Sequence, residues 1–307
     1  MQEREGGNKA IKVGVFYDGS YFTHVSNYYN YVHGHRRRLH IGGVHDFIKH
    51  TIAQHEATRP SLCHIVEAHF FRGRFSAKEA NEKPNQLYYD RIFDDVLMYN
   101  GVRTHYLPVK DLQGRKREKG IDVLMALETY ELCMLKKLDL VVLVASDGDH
   151  VALVRKLHGL GCKTMLLGWD FEFSDQETGE VQYTKTSTDL WNEVSYPLPM
   201  HDLIDEGLRE DDEVVRDMFV QRDSVPEPMG HSSAPLVDEE RHQSTVMSLM
   251  NGYGFIRFPD NNLFFRHDDL VDLAFEDLAI NDVLEFNVAV NNKGQRVAKN
   301  IARPVLA

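Results

Sequence analysis

Residues 141–150 read Val-Val-Leu-Val-Ala-Ser-Asp-Gly-Asp-His. An unbroken aliphatic, largely β-branched run leaves no face for water, so it predicts a strand in a parallel sheet covered on both sides. Open sheets of that kind place ligands outside the carboxyl ends of their strands. The run stops at Ser146, Asp147, Gly148 and Asp149, which puts two carboxylates at such an end. Two acids one residue apart can converge on a hard cation. Either can equally cap a helix or close a turn, and the run alone does not choose.

The same grammar recurs near the start of the chain. Residues 9–18 form an apolar strand ending in Asp18, and Gly19 and Ser20 follow as a turn. Residues 21–31 are aromatic-rich and read as helix or loop, and a basic cluster, residues 33–38, comes next. Periodic apolar positions then predict a helix over 44–57, a strand over 62–71, a helix over 84–99 and a strand over 102–109. Residues 110–119 read as a basic loop with Arg115, Lys116, Arg117 and Lys119. A strong helix is predicted over 121–137, with Asp122 in its first turn and Val123, Leu124, Leu127, Leu132 and Leu135 as its core face. After the strand at 140–145 come a helix at 149–159, a strand at 162–168, an exposed acidic excursion at 170–186 and a short helix at 187–194 capped by Ser187. Alternating strands and helices predict an open, mostly parallel α/β sheet.

Histidines fall at 35, 40, 45, 50 and 55. A five-residue step turns a helix by about 140° from the starting face, so these rings do not line up as metal ligands and read as solvated or packing residues. Cys63, Cys133 and Cys162 lie in apolar surroundings without metal-site spacing and read as reduced core thiols.

The formal net charge of −12 argues against a polyanionic partner until its distribution is considered. Residues 201–241 carry thirteen acids against four bases, residues 1–200 carry 26 against 25, and residues 242–307 carry eight against six. The acidity is pooled between 205 and 242, a stretch without periodicity that reads as a flexible linker between a first domain at 9–204 and a second at 243–307. No apolar run reaches the roughly 20 residues that span a bilayer. The polar N-terminus lacks a signal peptide's apolar core, so a cytoplasmic protein without a membrane partner is expected.

In a parallel sheet, Asp18, Asp122, Asp147 and Asp149 collect at one edge. Carboxylates gathered there repel unless a cation intervenes, and an all-oxygen set suits Mg²⁺ or Mn²⁺. Ser20 and Ser146 stand beside the acids as candidates to support such a set. Lys119, three residues before Asp122, can pair with the acids, meet a phosphate or remain solvated. The segments ending in Asp18-Gly-Ser, the Lys119-Gly-Ile-Asp122 element and Ser146-Asp147-Gly-Asp149-His together resemble the three acidic motifs of NYN domains, members of the PIN-like nuclease superfamily. The resemblance covers about 11–200. It implies a Rossmann-like PIN fold and a metal-dependent endoribonuclease, with the four aspartates in the metal-site positions. Tyr21 stands where the family usually has Asn, His150 where it has an aromatic, and Ser195 where an Asp is expected. A non-catalytic RNA-binding regulator is the alternative, and a small-molecule phosphohydrolase a third class.

From residue 244 the pattern changes to short strands at 244–250, 253–258, 262–267, 282–290 and 296–302, which predict a small β-barrel. Tyr253 and Phe255 alternate onto one face and Phe264 can join them from the next strand. Such aromatics either fill the core or stack on unpaired bases. Gly252 and Gly254 are expected to leave the platform uncrowded. Residues 243–305 resemble a cold-shock domain through Gly-Tyr-Gly-Phe-Ile, Leu-Phe-Phe-Arg-His and the segment from Asp282. The resemblance implies an OB-fold that binds single-stranded RNA, with single-stranded DNA as the second choice. It assigns contacts to Tyr253, Phe255, Phe264, Arg266 and His267. Asn251 replaces the usual lysine. Oligomeric state is left open, a homodimer included.

Overall fold

The computed structural model describes residues 9–81, 86–112, 115–174, 181–221, 241–250, 253–259, 262–266, 269–271, 273, 275, 278–290 and 296–304. The chain divides into two compact units, one holding 1–74 and 94–224, the other 75–93 and 225–307.

Strand β1 (Ile11–Asp18) leads into helix α1 (Gly19–Asn27), a π-helical turn at Tyr28–Val32 and helix α2 (Ile41–His55). Strand β2 (Cys63–Arg74), helices α3 (Ala77–Asn81) and α4 (Gln86–Tyr99) and strand β3 (Arg103–Pro108) follow. The basic loop is a hairpin of β4 (Lys110–Leu112) and β5 (Arg115–Arg117). Then come α5 (Ile121–Lys136), β6 (Leu140–Val144), a 3₁₀ turn at Gly148–His150, α6 (Val151–Gly159) and β7 (Lys163–Gly168). The excursion after β7 is a second hairpin, β8 (Phe171–Ser174) and β9 (Val181–Thr184), before α7 (Thr188–Glu193), β10 (Tyr196–Pro199), α8 (Met200–Arg209) and α9 (Glu213–Arg216).

Six strands form one sheet in the order β10-β7-β6-β1-β2-β3, and every pairing in it is parallel. Strand β6, the aliphatic run, is buried at every position. Alternation along β1 sends Phe16 to the side of α5, where it joins Phe71, Met125, Leu143, Leu153 and Leu166 in one core. It sends Tyr17 to the other face, where its ring meets Phe22 of α1 at 5.3 Å and His45 of α2 at 6.0 Å. Both faces are therefore covered, as a continuous apolar strand requires.

Three expectations are corrected in this unit. The core face of α5 is Ile121, Met125, Thr129 and Cys133, with Leu124 and Leu132 partly buried against it, whereas Val123, Leu127 and Leu135 are each more than 60% exposed. Ser187 makes no side-chain cap of α7; its amide donates instead to the Ser146 carbonyl at 2.8 Å. The folded unit also extends into the stretch expected to be linker. Helices α8 and α9 occupy its first part, the Asp212 carboxylate caps α9, and Met218 and Phe219 are fully buried. The acids of this stretch sit mainly on exposed helix positions, so charge density masked an amphipathic pattern.

The second unit contains a closed barrel of β11 (His242–Met250), β12 (Tyr253–Ile256), β13 (Leu263–Arg266), β14 (Val283–Val290) and β15 (Arg296–Ala302), ordered β11-β12-β13-β15-β14. All neighbours are antiparallel except β13 and β15. Val246, Ile256, Leu263, Phe265, Phe286 and Ile301 are part of its core. Gly254 faces this interior: a β-carbon there would lie 2.6 Å from the Phe265 ring and 2.8 Å from the Ser248 carbonyl. It makes room for a core phenylalanine rather than for the outer aromatics, and Gly252 lies outside the described residues.

Candidate functional site

The acids of the first unit are positioned by helix starts at the carboxyl edge of the sheet. Asp18 ends β1 and caps α1: its Oδ1 accepts the amides of Ser20 at 3.0 Å and Tyr21 at 3.1 Å. Asp122 lies in the first turn of α5. Asp147 follows β6 and caps the 3₁₀ turn, accepting the Asp149 amide at 2.9 Å; both Asp147 and Asp149 are exposed. Each acid thus has a local capping or dipole role. Those roles do not explain the field at Asp18. Burial pushes its pKa up, the charges of Asp122 and Glu118 push in the same direction, and the Tyr21 amide and His150 pull it back. Asp18, Glu118, Asp122 and His150 therefore share one neighbourhood.

Glu118 is the residue that sequence reasoning missed, because it is embedded among Arg115, Lys116, Arg117 and Lys119. Its side chain lies against Gly73 of β2, where an added β-carbon would meet the Glu118 Cγ at 2.5 Å, and it accepts the Ser20 hydroxyl at 2.7 Å. Ser20 is thereby tied to an acid. His150 was noted only as a departure from a motif. Its ring is buried, and Nε2 has no hydrogen-bond partner among the described residues.

The other departures have structural roles. The Tyr21 hydroxyl accepts the Trp169 amide at 2.7 Å, bridging α1 to the end of β7, and burial pushes the phenol's pKa up. Ser195 exchanges hydrogen bonds of 3.2 Å with Thr164, at the start of β7 and thus at the opposite edge from the acids. Asp170, just past β7, accepts the Thr186 amide at 2.7 Å. Lys119 is exposed beside Glu118. The backbone of Arg115, Lys116 and Arg117 forms β5, and their side chains lie outside the described residues.

The donor chemistry fits a divalent cation. Asp18 is disfavoured as an anion by burial and by two neighbouring acids, an imbalance that a hard cation among oxygen ligands reverses. Among the described residues, no group of three or more His, Cys, Asp or Glu side chains is already disposed to hold a metal ion. Asp18 has one oxygen engaged by amides, and Asp147 is engaged by its own turn.

On the barrel, Tyr253, Phe255 and Phe264 are half-buried while their strand neighbours Ile256, Leu263 and Phe265 are buried. The three rings cluster on the outer face, with Phe264 centred 5.5 Å from Tyr253 and 5.7 Å from Phe255. Arg266 is exposed, its guanidinium 5.9 Å from the Phe264 centroid. His267 lies outside the described residues.

Among the described residues, no helix is long and apolar enough to cross a membrane. A Vibrio parahaemolyticus protein of unknown function is similar to this chain at 17% identity, covering 65% of this chain and 96% of its own, with a TM-score of 0.40. An oxidoreductase from Sinorhizobium meliloti matches at 12% identity over 97% of this chain and 66% of its own, with a TM-score of 0.23. Neither score is high enough to carry an argument. No curated protein shows a significant match. The NYN domain profile matches residues 12–191, more than half of the chain and the whole of the segment that gathers Asp18, Glu118, Asp122 and His150. The chain belongs to the NYN domain family.

Proposed function

We propose that this protein is a metal-dependent endoribonuclease whose barrel, a cold-shock-type OB-fold, holds single-stranded RNA. The observation that carries the reading is the half-buried Asp18 in the joint field of Asp122 and Glu118, inside the segment matched by the NYN family. Asp18 and Asp122 would hold Mg²⁺ or Mn²⁺, with Asp147 and Asp149 completing the set from the adjoining turn. When bound, such an ion activates water and neutralises charge developing on a phosphodiester. The chain's own groups do the positioning. The amides of Ser20 and Tyr21 fix one Asp18 oxygen and leave the other available. The starts of α1 and α5 aim positive dipole ends at the same edge, which favours an approaching phosphate. The Tyr253, Phe255 and Phe264 cluster offers stacking faces to unpaired bases, and its five-stranded closed barrel suits that role.

A second reading, RNA binding without cleavage, is favoured by the absence of a ready three-ligand cluster among the described residues. Cleavage of labelled single-stranded RNA in Mn²⁺ decides between them. Wild type is expected to cut, and Asp18→Asn and Asp122→Asn to lose about 10²-fold or more in rate. RNA binding that persists in chelator with no products from wild type would establish the second reading.

A further inference from the structure

The proposed function leaves one basic stretch unused. Residues 33–38 read His-Gly-His-Arg-Arg-Arg in a chain of net charge −12. Among the described residues of the first unit, most cations that are held by a side chain face acids: Arg74 with Asp94, Arg155 with Glu193, Lys163 with Glu56, Arg216 with Asp211. Arg36, Arg37 and Arg38 do not. Arg36 donates to the Tyr31 carbonyl, Arg37 to Gln221 Oε1 at 3.4 Å, and Arg38 to Asn27 Oδ1 at 2.6 Å and the Tyr31 hydroxyl at 2.7 Å. All these acceptors are neutral, and among the described residues no carboxylate lies within ion-pair distance of the three guanidiniums. The nearby acid Asp205 is engaged by His33 at 3.1 Å.

The stretch is held in place. A π-helical turn at Tyr28–Val32 closes with the His33 amide on the Tyr28 carbonyl at 2.9 Å. Arg36 adopts left-handed backbone, φ 53°, which a β-carbon disfavours and which marks a conformation imposed by its surroundings. Beyond it, the Arg38 carbonyl accepts the Val220 amide at 2.9 Å and the His40 amide donates to Met218 at 2.7 Å. Aromatic surface adjoins the charge. Tyr31 lies under the Arg38 guanidinium at 5.2 Å and is itself exposed. The β8–β9 hairpin is fastened to α1 and the π-helical turn by His24 against Thr184 at 2.7 Å and by Phe171 stacked on Tyr28 at 3.9 Å.

We propose that Arg36, Arg37 and Arg38 together with Tyr31 form a track for single-stranded RNA on the NYN unit itself, leading to the acids. The inference rests on the RNA reading above and adds a surface to it. Guanidiniums held by neutral acceptors keep full charge for phosphates, and the exposed Tyr31 ring beside them suits an unpaired base. Helix α1 connects the two places: it begins at Asp18 and ends at the π-helical turn, nine residues or about 14 Å away. That is roughly four nucleotides of stacked strand. The strand would reach the acids from the Tyr28 end of α1.

The test is fluorescence anisotropy of a short labelled oligouridylate on the full chain in chelator, across a salt series. Arg36→Glu with Arg37→Glu is expected to weaken binding by about tenfold or more and to reduce the log–log salt slope by about 1.4. Tyr31→Leu, at an exposed position, is expected to weaken it about tenfold with the slope unchanged. Unchanged thermal midpoints certify folding, and Arg36→Ala serves as the milder variant. Affinity and slope equal to wild type in all of them, as an acidic protein partner at this surface would give, overturn the track alone. Wild type that binds here but never cleaves overturns the nuclease reading and leaves the track standing. Wild type that binds no RNA overturns both.

Discussion

Asp18 shows how one residue can serve the fold and oppose it at once. Its Oδ1 caps α1, while burial and the charges of Asp122 and Glu118 disfavour its ionised form. Asp18→Asn keeps the oxygen that accepts the Ser20 and Tyr21 amides and removes the charge. In chelator this variant should therefore melt at or above wild type, whereas Asp18→Ala, which loses the cap, should lose about 1 kcal/mol. Adding Mn²⁺ should raise the melting temperature of wild type and leave Asp18→Asn unmoved, because only a state that binds the ion is stabilised. Scanning calorimetry checks both; a lower melting temperature for Asp18→Asn in chelator would show that its charge is not opposed. Asp18 and Asp122 are legible in the sequence because each stands at the junction of a strand or loop with a helix. Glu118 is not, since its four basic neighbours make it look like part of a basic loop and only the close approach to Gly73 reveals where it points. His150 is visible as a letter, but its burial beside Asp18 is a tertiary fact.

Helix α5 exposes the limit of periodicity at the scale of an element. Its extent was readable nearly to the residue, its orientation was not. Ile121, Met125 and Cys133 form one apolar stripe and Val123, Leu127 and Leu135 another, so hydrophobic spacing is satisfied by either face. The buried stripe includes Thr129, whose hydroxyl has no hydrogen-bond partner among the described residues, and a polar letter there pointed reading toward the wrong side. The two faces predict opposite responses. Leu127→Lys, on a residue 64% exposed, should change unfolding free energy by no more than about 0.5 kcal/mol. Met125→Ala, fully buried against Phe16 and Phe71, should cost about 2–5 kcal/mol through lost contacts and the cavity left behind. Urea denaturation of the pair measures it, and a larger loss for Leu127→Lys than for Met125→Ala would reverse the assigned faces. Helices α8 and α9 are illegible for a related reason: their acids dominate the composition of the stretch and hide the spacing of its few apolar residues. The strands that are legible are a run buried on both faces and five short segments separated by turns, each with few alternatives; the edge strand β10 and the β4–β5 and β8–β9 hairpins lack such a pattern.

Across the molecule, buried histidines set a response to acid that the net charge of −12 would not suggest. Burial lowers the pKa of His45 from 6.5 to about 4, with Lys49 adding to the effect, and burial also lowers those of His24, His69 and His105. The folded values lie below the unfolded ones, so the unfolded chain takes up protons first as pH falls. Stability is therefore full above about 6.5 and is lost as pH drops through that value toward 4. His45 alone accounts for about 3 kcal/mol over this window. Carboxylates work in a different range. Burial would raise Glu67, but the His69 and Lys136 hydrogen bonds and the Arg103 charge outweigh it, so it is held low and its contribution begins to fall only as pH drops into the usual carboxylate range. Losses between pH 6.5 and 4 thus belong mainly to histidines, and His45 can be isolated because its Nε2 has no hydrogen-bond partner among the described residues. In His45→Phe the loss of unfolding free energy between pH 7 and 4 should shrink by about 3 kcal/mol relative to wild type. Chemical denaturation at stepped pH reads this difference, and parallel slopes for the two proteins would mean that His45 is not held neutral by the fold.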